Sequence, residues 1–180
     1  MTARGVIIGD SVVVLDIDDA RRLYANGFYG KPIGIEKPKG PDFNTPLKLS
    51  LIEALYLEEK GELLVETLDG RRVDKDKLEE ALRSKRRFHL LYKVYKDLRD
   101  KGLIVRPGMR FGADFAVYRL GPGIDHAPFV VHVVEENEEI DPVDLVRAGR
   151  VSHSVRKTFV MAYPGASGRV RYIALRWFKP

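Results

Sequence analysis

The fold is decided by residues 103–134, which read LIVRPGMRFGADFAVYRLGPGIDHAPFVVHVV. Three apolar, β-branched runs in this stretch predict strands over Leu103–Arg106, Phe115–Leu120 and Pro128–Val134, separated by loops rich in glycine and proline. On either side, apolar residues recur at helical spacing. They predict helices over Phe88–Lys101 and from Asp141-Pro142 to about Lys157.

Two further strand patterns, over Thr158–Tyr163 and Arg169–Phe178, close the chain. Strands and helices in this order favour an α/β layer, in which helices pack against one sheet. We therefore expect the C-terminal part to be a domain with a central mixed sheet flanked by helices.

The N-terminal part has shorter predicted elements. In order, these are a β-hairpin over 4–8 and 11–16, a helix capped by Asp18 that ends near Gly27, a proline-rich loop over Gly30–Pro46, a helix over Leu47–Glu59, a strand over Leu63–Glu66 and a helix over Asp74–Arg83. The net charge changes sign at Ser84–Arg87. This predicts a small N-terminal α/β domain over residues 1–84 and a second domain over 85–180, an α+β organisation overall.

The charge of the chain is uneven. The 180 residues carry a net charge of +5, with a pI of about 9.4. Residues 1–84 contain 13 Lys and Arg against 16 Asp and Glu, a net charge of −3, whereas residues 85–180 contain 18 against 10, a net charge of +8. A basic C-terminal part favours contact with a polyanion such as nucleic acid. The alternative to nucleic-acid binding is that any protein with a net charge of +5 has a basic side somewhere on its surface.

The composition excludes several classes of protein. There is no cysteine, which excludes disulfide scaffolds, cysteine zinc sites, iron–sulfur clusters and thiol nucleophiles. No apolar run approaches the roughly 18 residues of a membrane span, and the first residues do not form a signal-peptide pattern. We expect a cytoplasmic protein that does not contact a membrane. The lack of glutamine and the 32% of charged residues are typical of a thermophile protein.

Sequence signatures of metal and nucleotide sites are absent. Gly27–Lys31 is too short for a P-loop, no G-x-G-x-x-G follows a strand, and there is no H-E-x-x-H. His126 and His132 lie at even spacing in a strand region, so they are placed to share a face, but no carboxylate stands as a third ligand. We therefore expect neither a metal nor a cofactor.

Three motifs carry the polar residues of interest: RFGADFAVY over Arg110–Tyr118, then Asp125-His126, then RVSHSVRK over Arg150–Lys157. On a continuous helix, Arg150 and Lys157 point the same way and form a cationic edge. Taken alone, Arg150 and Lys157 also fit a solvated basic stripe. Likewise, Tyr118 fits an ordinary strand tyrosine, and His126 fits an ordinary loop histidine.

In order and spacing, F-G-A-D-F-x-V-Y, D-H and R-x-x-H-S-V-R-K closely resemble the catalytic domain of the archaeal tRNA-splicing endonucleases, over residues 85–180. The N-terminal half is similar to the smaller α/β domain of that family. The resemblance implies a nuclease-like C-terminal fold and places the family's catalytic residues on Tyr118, His126 and Lys157. It implies an endoribonuclease that excises introns from precursor tRNA at bulge–helix–bulge sites. The family acts without a metal and leaves 2′,3′-cyclic phosphate and 5′-hydroxyl ends.

These residue types suit that reaction. The attacking ribose 2′-OH needs a base, the role that the family gives its tyrosine, and the leaving 5′-oxygen needs a proton, which a histidine can hold near neutral pH. A lysine ammonium can offset the charge of the phosphorane. Free tyrosine has a pKa of about 10, so Tyr118 is a poor base unless nearby cations lower its pKa.

The resemblance also implies RNA-binding residues. Arg150 and Arg176 match two arginines of the family that stack on either side of a bulged base. A guanidinium plane can stack on any base, so this recognition does not depend on which base is bulged. The stretch from Ile35 to Pro46 resembles an extra loop of crenarchaeal members with a broader substrate range. Its Lys37 and Lys39 are expected to contact the RNA backbone, with solvated lysines in a flexible loop as the alternative.

The resemblance further implies how the chain assembles. In homotetrameric members, the loop between the last two strands is acidic and docks into a basic groove of another subunit, but here that loop, Tyr163–Gly168, has no acid. We expect a structural paralogue to supply the acidic loop in an α2β2 heterotetramer, as in the crenarchaeal type, with Glu135–Glu139 as the alternative donor. Self-dimerisation is expected through the apolar segments Phe159–Met161 and Tyr172–Leu175.

Two rival functions stay open. One is a non-catalytic RNA-binding or structural subunit of the same assembly, although such a subunit has no need to keep all of Tyr118, His126 and Lys157. The other is a metal-dependent DNA nuclease, which the sequence does not favour because it offers no carboxylate cluster.

Overall fold

The chain forms two units, Met1–Phe88 and His89–Pro180, each with its own sheet. The computed structural model describes residues 1–83, 87–135, 137–154 and 156–175. Most of the predicted domain boundary, Ser84–Arg87, lies outside the described residues.

The first unit is a mixed six-stranded sheet with three helices, and its strand order is β3-β4-β2-β1-β5-β6. Its elements are β1 Ala3–Ile8, β2 Ser11–Val14, α1 Ile17–Gly27, β3 Lys31–Pro32, β4 Leu47–Ser50, α2 Leu51–Glu59, β5 Leu63–Glu66, β6 Arg72–Val73 and α3 Lys75–Arg83. The predicted hairpin is confirmed, since β1 and β2 pair antiparallel around Gly9-Asp10. The strand over Leu63–Glu66 is confirmed as well, and it pairs parallel with β1.

The predicted helix over Leu47–Glu59 is wrong in its first turn. Leu47–Ser50 is a strand that pairs with both β2 and β3, and Leu47 and Leu49 alternate into the core. The helix starts only at Leu51, because Ser50 and Glu53 form a capping box. The Glu53 N–H donates to Ser50 Oγ (3.3 Å), and the Ser50 N–H donates to a Glu53 carboxylate oxygen (2.9 Å).

Two smaller corrections concern α1 and the long loop. The N-cap of α1 is Asp16, not Asp18, because the Asp16 carboxylate accepts the N–H of Asp19 at 2.9 Å. Lys31–Pro32, predicted as loop, forms the short edge strand β3 against β4. The loop that follows is closed at its base, where the Ile33 N–H donates to the Pro46 carbonyl at 2.9 Å.

In its described residues, the second unit has a five-stranded mixed sheet in the order β11-β10-β9-β8-β7, in which β9 and β10 pair parallel and the other neighbours pair antiparallel. Its elements are α4 Phe88–Asp100, β7 Ile104–Pro107, a 3₁₀ turn over Met109–Phe111, β8 Phe115–Tyr118, β9 Phe129–Val133, α5 Pro142–Ser154, β10 Thr158–Pro164 and β11 Val170–Leu175. The predicted strands and helices are therefore all present. Residues 176–178 of the last predicted strand lie outside the described residues.

The two helices of this unit cover opposite faces of its sheet. Tyr95 of α4 packs on Phe115, with ring centroids 6.0 Å apart, whereas Leu145 and Ala148 of α5 pack against a cluster that includes Phe159. In the paired strands, Phe115 lies beside Val131 and Val131 beside Val160, so Phe115 and Phe159 point to opposite faces. The predicted mixed sheet flanked by helices is confirmed.

The predicted end of α5 is wrong. The helix stops at Ser154 instead of continuing to about Lys157. Arg156 has φ of 54°, a left-handed conformation that does not continue an α-helix. Lys157 then leads directly into β10, so it does not share a helical face with Arg150.

Candidate active site

The topology of the second unit brings Tyr118, His126 and Lys157 to one end of its sheet. Tyr118 is the last residue of β8, and its neighbour Val117 pairs with Phe129, the first residue of β9. Because β10 runs parallel to β9, Phe129 also pairs with Thr158, the residue after Lys157. His126 lies in the loop that joins β8 to β9. The end of β8 and the beginnings of β9 and β10 are therefore neighbours, and the three residues lie at this end of the sheet.

Lys157 is held in place by two contacts. Its Nζ donates a hydrogen bond to the carbonyl oxygen of Ala127 at 2.6 Å and lies 4.9 Å from the centroid of the Phe111 ring. Burial lowers the pKa of Lys157, and the negative charge of Asp125 works against that shift. An ammonium has three donors, so the bond to Ala127 leaves two of them for a ligand.

Asp125 closes the loop that carries His126. One carboxylate oxygen accepts the N–H groups of Arg119 (3.1 Å) and Leu120 (3.2 Å), and the other accepts the N–H of Gly121 (2.8 Å). The loop turns tightly because Gly121 and Gly123 adopt φ values of 129° and 88°, which favour glycine. Burial opposes the charged form of Asp125, but the N–H donors, Gly121 first, outweigh burial and lower its pKa.

Tyr118 is partly buried beside two arginines. Ile104 of β7 pairs with Tyr118, so Arg106, two residues further along, points to the same face of the sheet. Burial raises the pKa of Tyr118, the positive charges of Arg106 and Arg110 act to lower it, and the negative charge of Asp125 adds to the rise. The arginines therefore do not overcome burial, and the Tyr118 hydroxyl keeps its proton at neutral pH.

His126 and those predicted RNA-binding residues that the structure describes are all exposed. His126 is exposed, directly after Asp125. Arg150 is exposed on α5, and Arg176 lies outside the described residues. Lys37 and Lys39 are exposed in the 33–46 loop of the first unit.

The sequence alone indicates no role for five groups around the site. Arg110 and Phe111 start the first motif and Asp125 precedes His126, but the motifs assign them no function. Arg106 was missed, because its proximity to Tyr118 follows from the pairing of β7 with β8, which no local pattern reveals. No sequence pattern can single out the Ala127 carbonyl, since every residue has a backbone carbonyl.

His126 and His132 do not share a strand face. His132 lies within β9, where its Nδ1 is 3.1 Å from an Asp114 carboxylate oxygen, and its ring stacks on Phe159. His126 lies in the preceding loop. Within the described part of the chain, no three His, Cys, Asp or Glu residues are grouped so that they could hold a metal ion. The described helices also include none that is long and apolar enough to cross a membrane.

Comparison with known proteins extends over both units. Residues 88–172 match the family model described as "tRNA intron endonuclease, catalytic C-terminal domain", and residues 3–79 match "tRNA intron endonuclease, N-terminal domain". A protein named "tRNA-splicing endonuclease" from Hyperthermus butylicus is 52% identical over 179 residues, which is 98% of this chain and 99% of the relative. Proteins of the same name from Saccharolobus solfataricus and Saccharolobus islandicus are 51% and 49% identical, each over 98% of both chains.

These relatives are archaeal and include thermophiles, in agreement with the composition. They are endonucleases of tRNA splicing, and their similarity runs through both units of the chain rather than through the three motifs alone. The resemblance seen in the motifs is thereby confirmed: the chain belongs to the tRNA-splicing endonuclease family.

Proposed function

We propose that this chain is the catalytic subunit of a tRNA-splicing endonuclease, which cuts precursor tRNA at bulge–helix–bulge sites. The observation that supports a catalytic role is the meeting of Tyr118, His126 and Lys157 at one end of the sheet, with Lys157 bonded to the residue after His126. A purely structural subunit needs no such arrangement.

In the proposed reaction, the Tyr118 phenolate takes the proton of the ribose 2′-OH, and the 2′-oxygen attacks the adjacent phosphorus. The bond from phosphorus to the 5′-oxygen breaks, and His126 gives that oxygen a proton. The products are a 2′,3′-cyclic phosphate and a 5′-hydroxyl. Lys157 offsets the added negative charge of the phosphorane with the two donors that Ala127 leaves available. The nucleophile belongs to the RNA, so the reaction needs no metal-bound water.

The phenolate is the minor form of Tyr118, because burial raises its pKa. Arg106 and Arg110 increase the phenolate fraction by placing positive charge near the hydroxyl. We therefore assign these arginines a supporting electrostatic role. Their guanidinium groups are also suited to hold the phosphate beside the reacting one.

For substrate binding, we propose that Arg150 and Arg176 sandwich a bulged base and that Lys37 and Lys39 contact the RNA backbone. For assembly, we propose two copies of this chain and two of a structural paralogue. The exposed residues 166–169 between β10 and β11 contain no carboxylate, which supports an acidic loop supplied by another polypeptide. The outer position of β11 and its exposed Ile173 support self-dimerisation.

The test is incubation of the purified chain, alone and with the paralogue, with a synthetic bulge–helix–bulge RNA in the presence of EDTA. Cleavage that yields cyclic phosphate and 5′-hydroxyl ends supports the proposal. An RNA with a 2′-deoxy sugar 5′ to the cut should stay intact, because it lacks the nucleophile. A strict requirement for magnesium, or cleavage of the deoxy RNA, would contradict the mechanism.

A further inference from the structure

The Asp125 carboxylate joins the two ends of the loop between Tyr118 and His126. Its three hydrogen-bond donors, the N–H groups of residues 119–121, directly follow Tyr118, and Asp125 itself directly precedes His126. The loop is closed further where the N–H groups of Ile124 and Asp125 donate to the Gly121 carbonyl, at 3.1 and 3.0 Å. One side chain therefore fixes the start of the loop relative to its end.

The segment after His126 is fixed as well. The Lys157 ammonium bonds the Ala127 carbonyl, and the Thr158 N–H donates to the Pro128 carbonyl at 2.8 Å. His126 thus lies between two anchored points, Asp125 on one side and Ala127 on the other. Its side chain is exposed, so its placement depends on the backbone that carries it.

We propose that Asp125 is a positioning residue that sets the location of His126 relative to Tyr118. This inference rests on the proposed function, in which His126 protonates the leaving oxygen. A misplacement of about 1 Å in a reacting group can cost about 10²-fold in rate. Loss of the loop closure should therefore slow cleavage while leaving RNA binding intact.

The variants are Asp125→Ala, which removes both carboxylate oxygens, and Asp125→Asn, which keeps one acceptor. Asp16→Ala is the matched control, because Asp16 also accepts a backbone N–H, at the start of α1 in the first unit. Single-turnover cleavage of the bulge–helix–bulge RNA, RNA affinity and thermal unfolding are measured on the assembled enzyme. We expect Asp125→Ala to be slowed by about 10²-fold, Asp125→Asn by less, and Asp16→Ala not at all, with affinity unchanged.

A double-mutant cycle shows whether Asp125 acts through His126. If it does, Asp125→Ala should lose most of its effect on the rate when His126→Ala is already present. A loss of stability alone would lower the rate by the same factor in both backgrounds, and that result would overturn the inference. Amide hydrogen exchange at residues 119–121 should also become faster in Asp125→Ala, and unchanged exchange would count against the loop closure.

The outcomes separate this inference from the proposed function. If the unmodified enzyme does not cleave the RNA, the proposed function fails and the inference fails with it. If the unmodified enzyme cleaves, His126→Ala is slow and Asp125→Ala cleaves at the normal rate, only the role of Asp125 is refuted.

Discussion

The Nζ atom of Lys157 lies 2.6 Å from the carbonyl oxygen of Ala127, the residue that follows His126. The bond crosses from the start of β10 to the segment that enters β9, two strands that are parallel neighbours. The proposed phosphorane stabiliser and the proposed acid are therefore held in register by the backbone pairing of the sheet. The hydrogen bond fixes the orientation of the positively charged Lys157 side chain, and the first prediction follows from this.

Lys157→Met should lower the single-turnover rate by about 10² to 10³-fold, the usual effect of removing one preorganised donor from a transition state. The methionine side chain can keep the packing on Phe111 but supplies neither the bond to Ala127 nor a positive charge. Lys93→Met, on α4 of the same unit, is the matched control. Normal cleavage by Lys157→Met would remove this residue from the mechanism.

The second prediction separates chemistry from binding. His126→Ala should slow single-turnover cleavage by about 10² to 10⁴-fold, the usual contribution of a positioned acid, with little change in RNA affinity. Arg150→Ala should instead weaken placement of the bulged base, because its proposed role is stacking. Filter binding and single-turnover kinetics on the same RNA distinguish the two effects. A normal rate for His126→Ala would show that the acid is another group.

The secondary structure of the second unit was predictable because its strand and helix patterns are local. The apolar runs around Ala116 and Val130 and the helical spacing of α4 can be read without knowing what they pack against. The helix predicted over Leu47–Ser50 is wrong, since the strand that these residues form depends on pairing with β2 and β3 on either side. The left-handed turn at Arg156, which separates Lys157 from α5, has no clear sequence signal either.

The site was predictable only in part, for a similar reason. Tyr118, His126 and Lys157 came from motif resemblance, and their catalytic roles stay predictions that the geometry makes testable. What surrounds them depends on tertiary structure. Arg106 reaches the face of Tyr118 through strand register, and Lys157 reaches Ala127 through the parallel pairing of β9 with β10.

The third prediction concerns pH. If the Tyr118 phenolate is the base, the cleavage rate should rise with pH below the raised pKa of Tyr118 for as long as the proposed acid stays protonated. The charged groups that act on this hydroxyl are Arg106 on β7, Arg110 on the 3₁₀ turn and Asp125 in the loop. Arg106→Gln removes a charge that lowers the Tyr118 pKa. The rising limb, meaning the part of the pH–rate profile in which the rate increases, should therefore move to higher pH.

The control for this shift is Arg106→Lys, which keeps the positive charge and should leave the limb near its original position. Arg110→Gln should shift the limb less than Arg106→Gln, because Arg106 has the larger influence on the Tyr118 pKa. Single-turnover rates across the pH range provide the measurement. The same rising limb in Arg106→Gln and the unmodified enzyme would contradict the electrostatic role of this arginine.

The fourth prediction concerns Lys37 and Lys39, which are both exposed. If each contacts an RNA phosphate, neutralising both should reduce the slope of log affinity against log salt by about 0.7 to 0.9 per contact. We expect non-standard bulge substrates to lose the most cleavage if they depend more than standard ones on backbone contacts. Lys77→Ala, another exposed lysine of the first unit, is the control. Unchanged binding and cleavage on every substrate would favour solvated lysines in this loop.

The fifth prediction concerns self-association. β11 is the outer strand of its sheet, and Ile173 on it is 48% exposed. Pairing of two such strands would cover this apolar residue and satisfy the open strand edge. Ile173→Asp should therefore convert a dimer of this chain to a monomer. Leu68→Asp, at another exposed apolar position, should leave the dimer intact, with light scattering as the measurement.

The proposed tetramer needs a further contact, for which this chain offers no acidic residue between β10 and β11. An acidic loop that docks into a basic groove supplies opposite charge, which steers association and fixes register. Here the exposed residues 166–169 between β10 and β11 contain no acid, and Arg169 is basic. The chain alone should therefore stop at a dimer with little activity, and both a tetramer and full activity should appear when the acidic-loop paralogue is added. A fully active tetramer of this chain alone would refute an assembly of two kinds of subunit. It would instead favour Glu135 and its acidic neighbours as the docking residues.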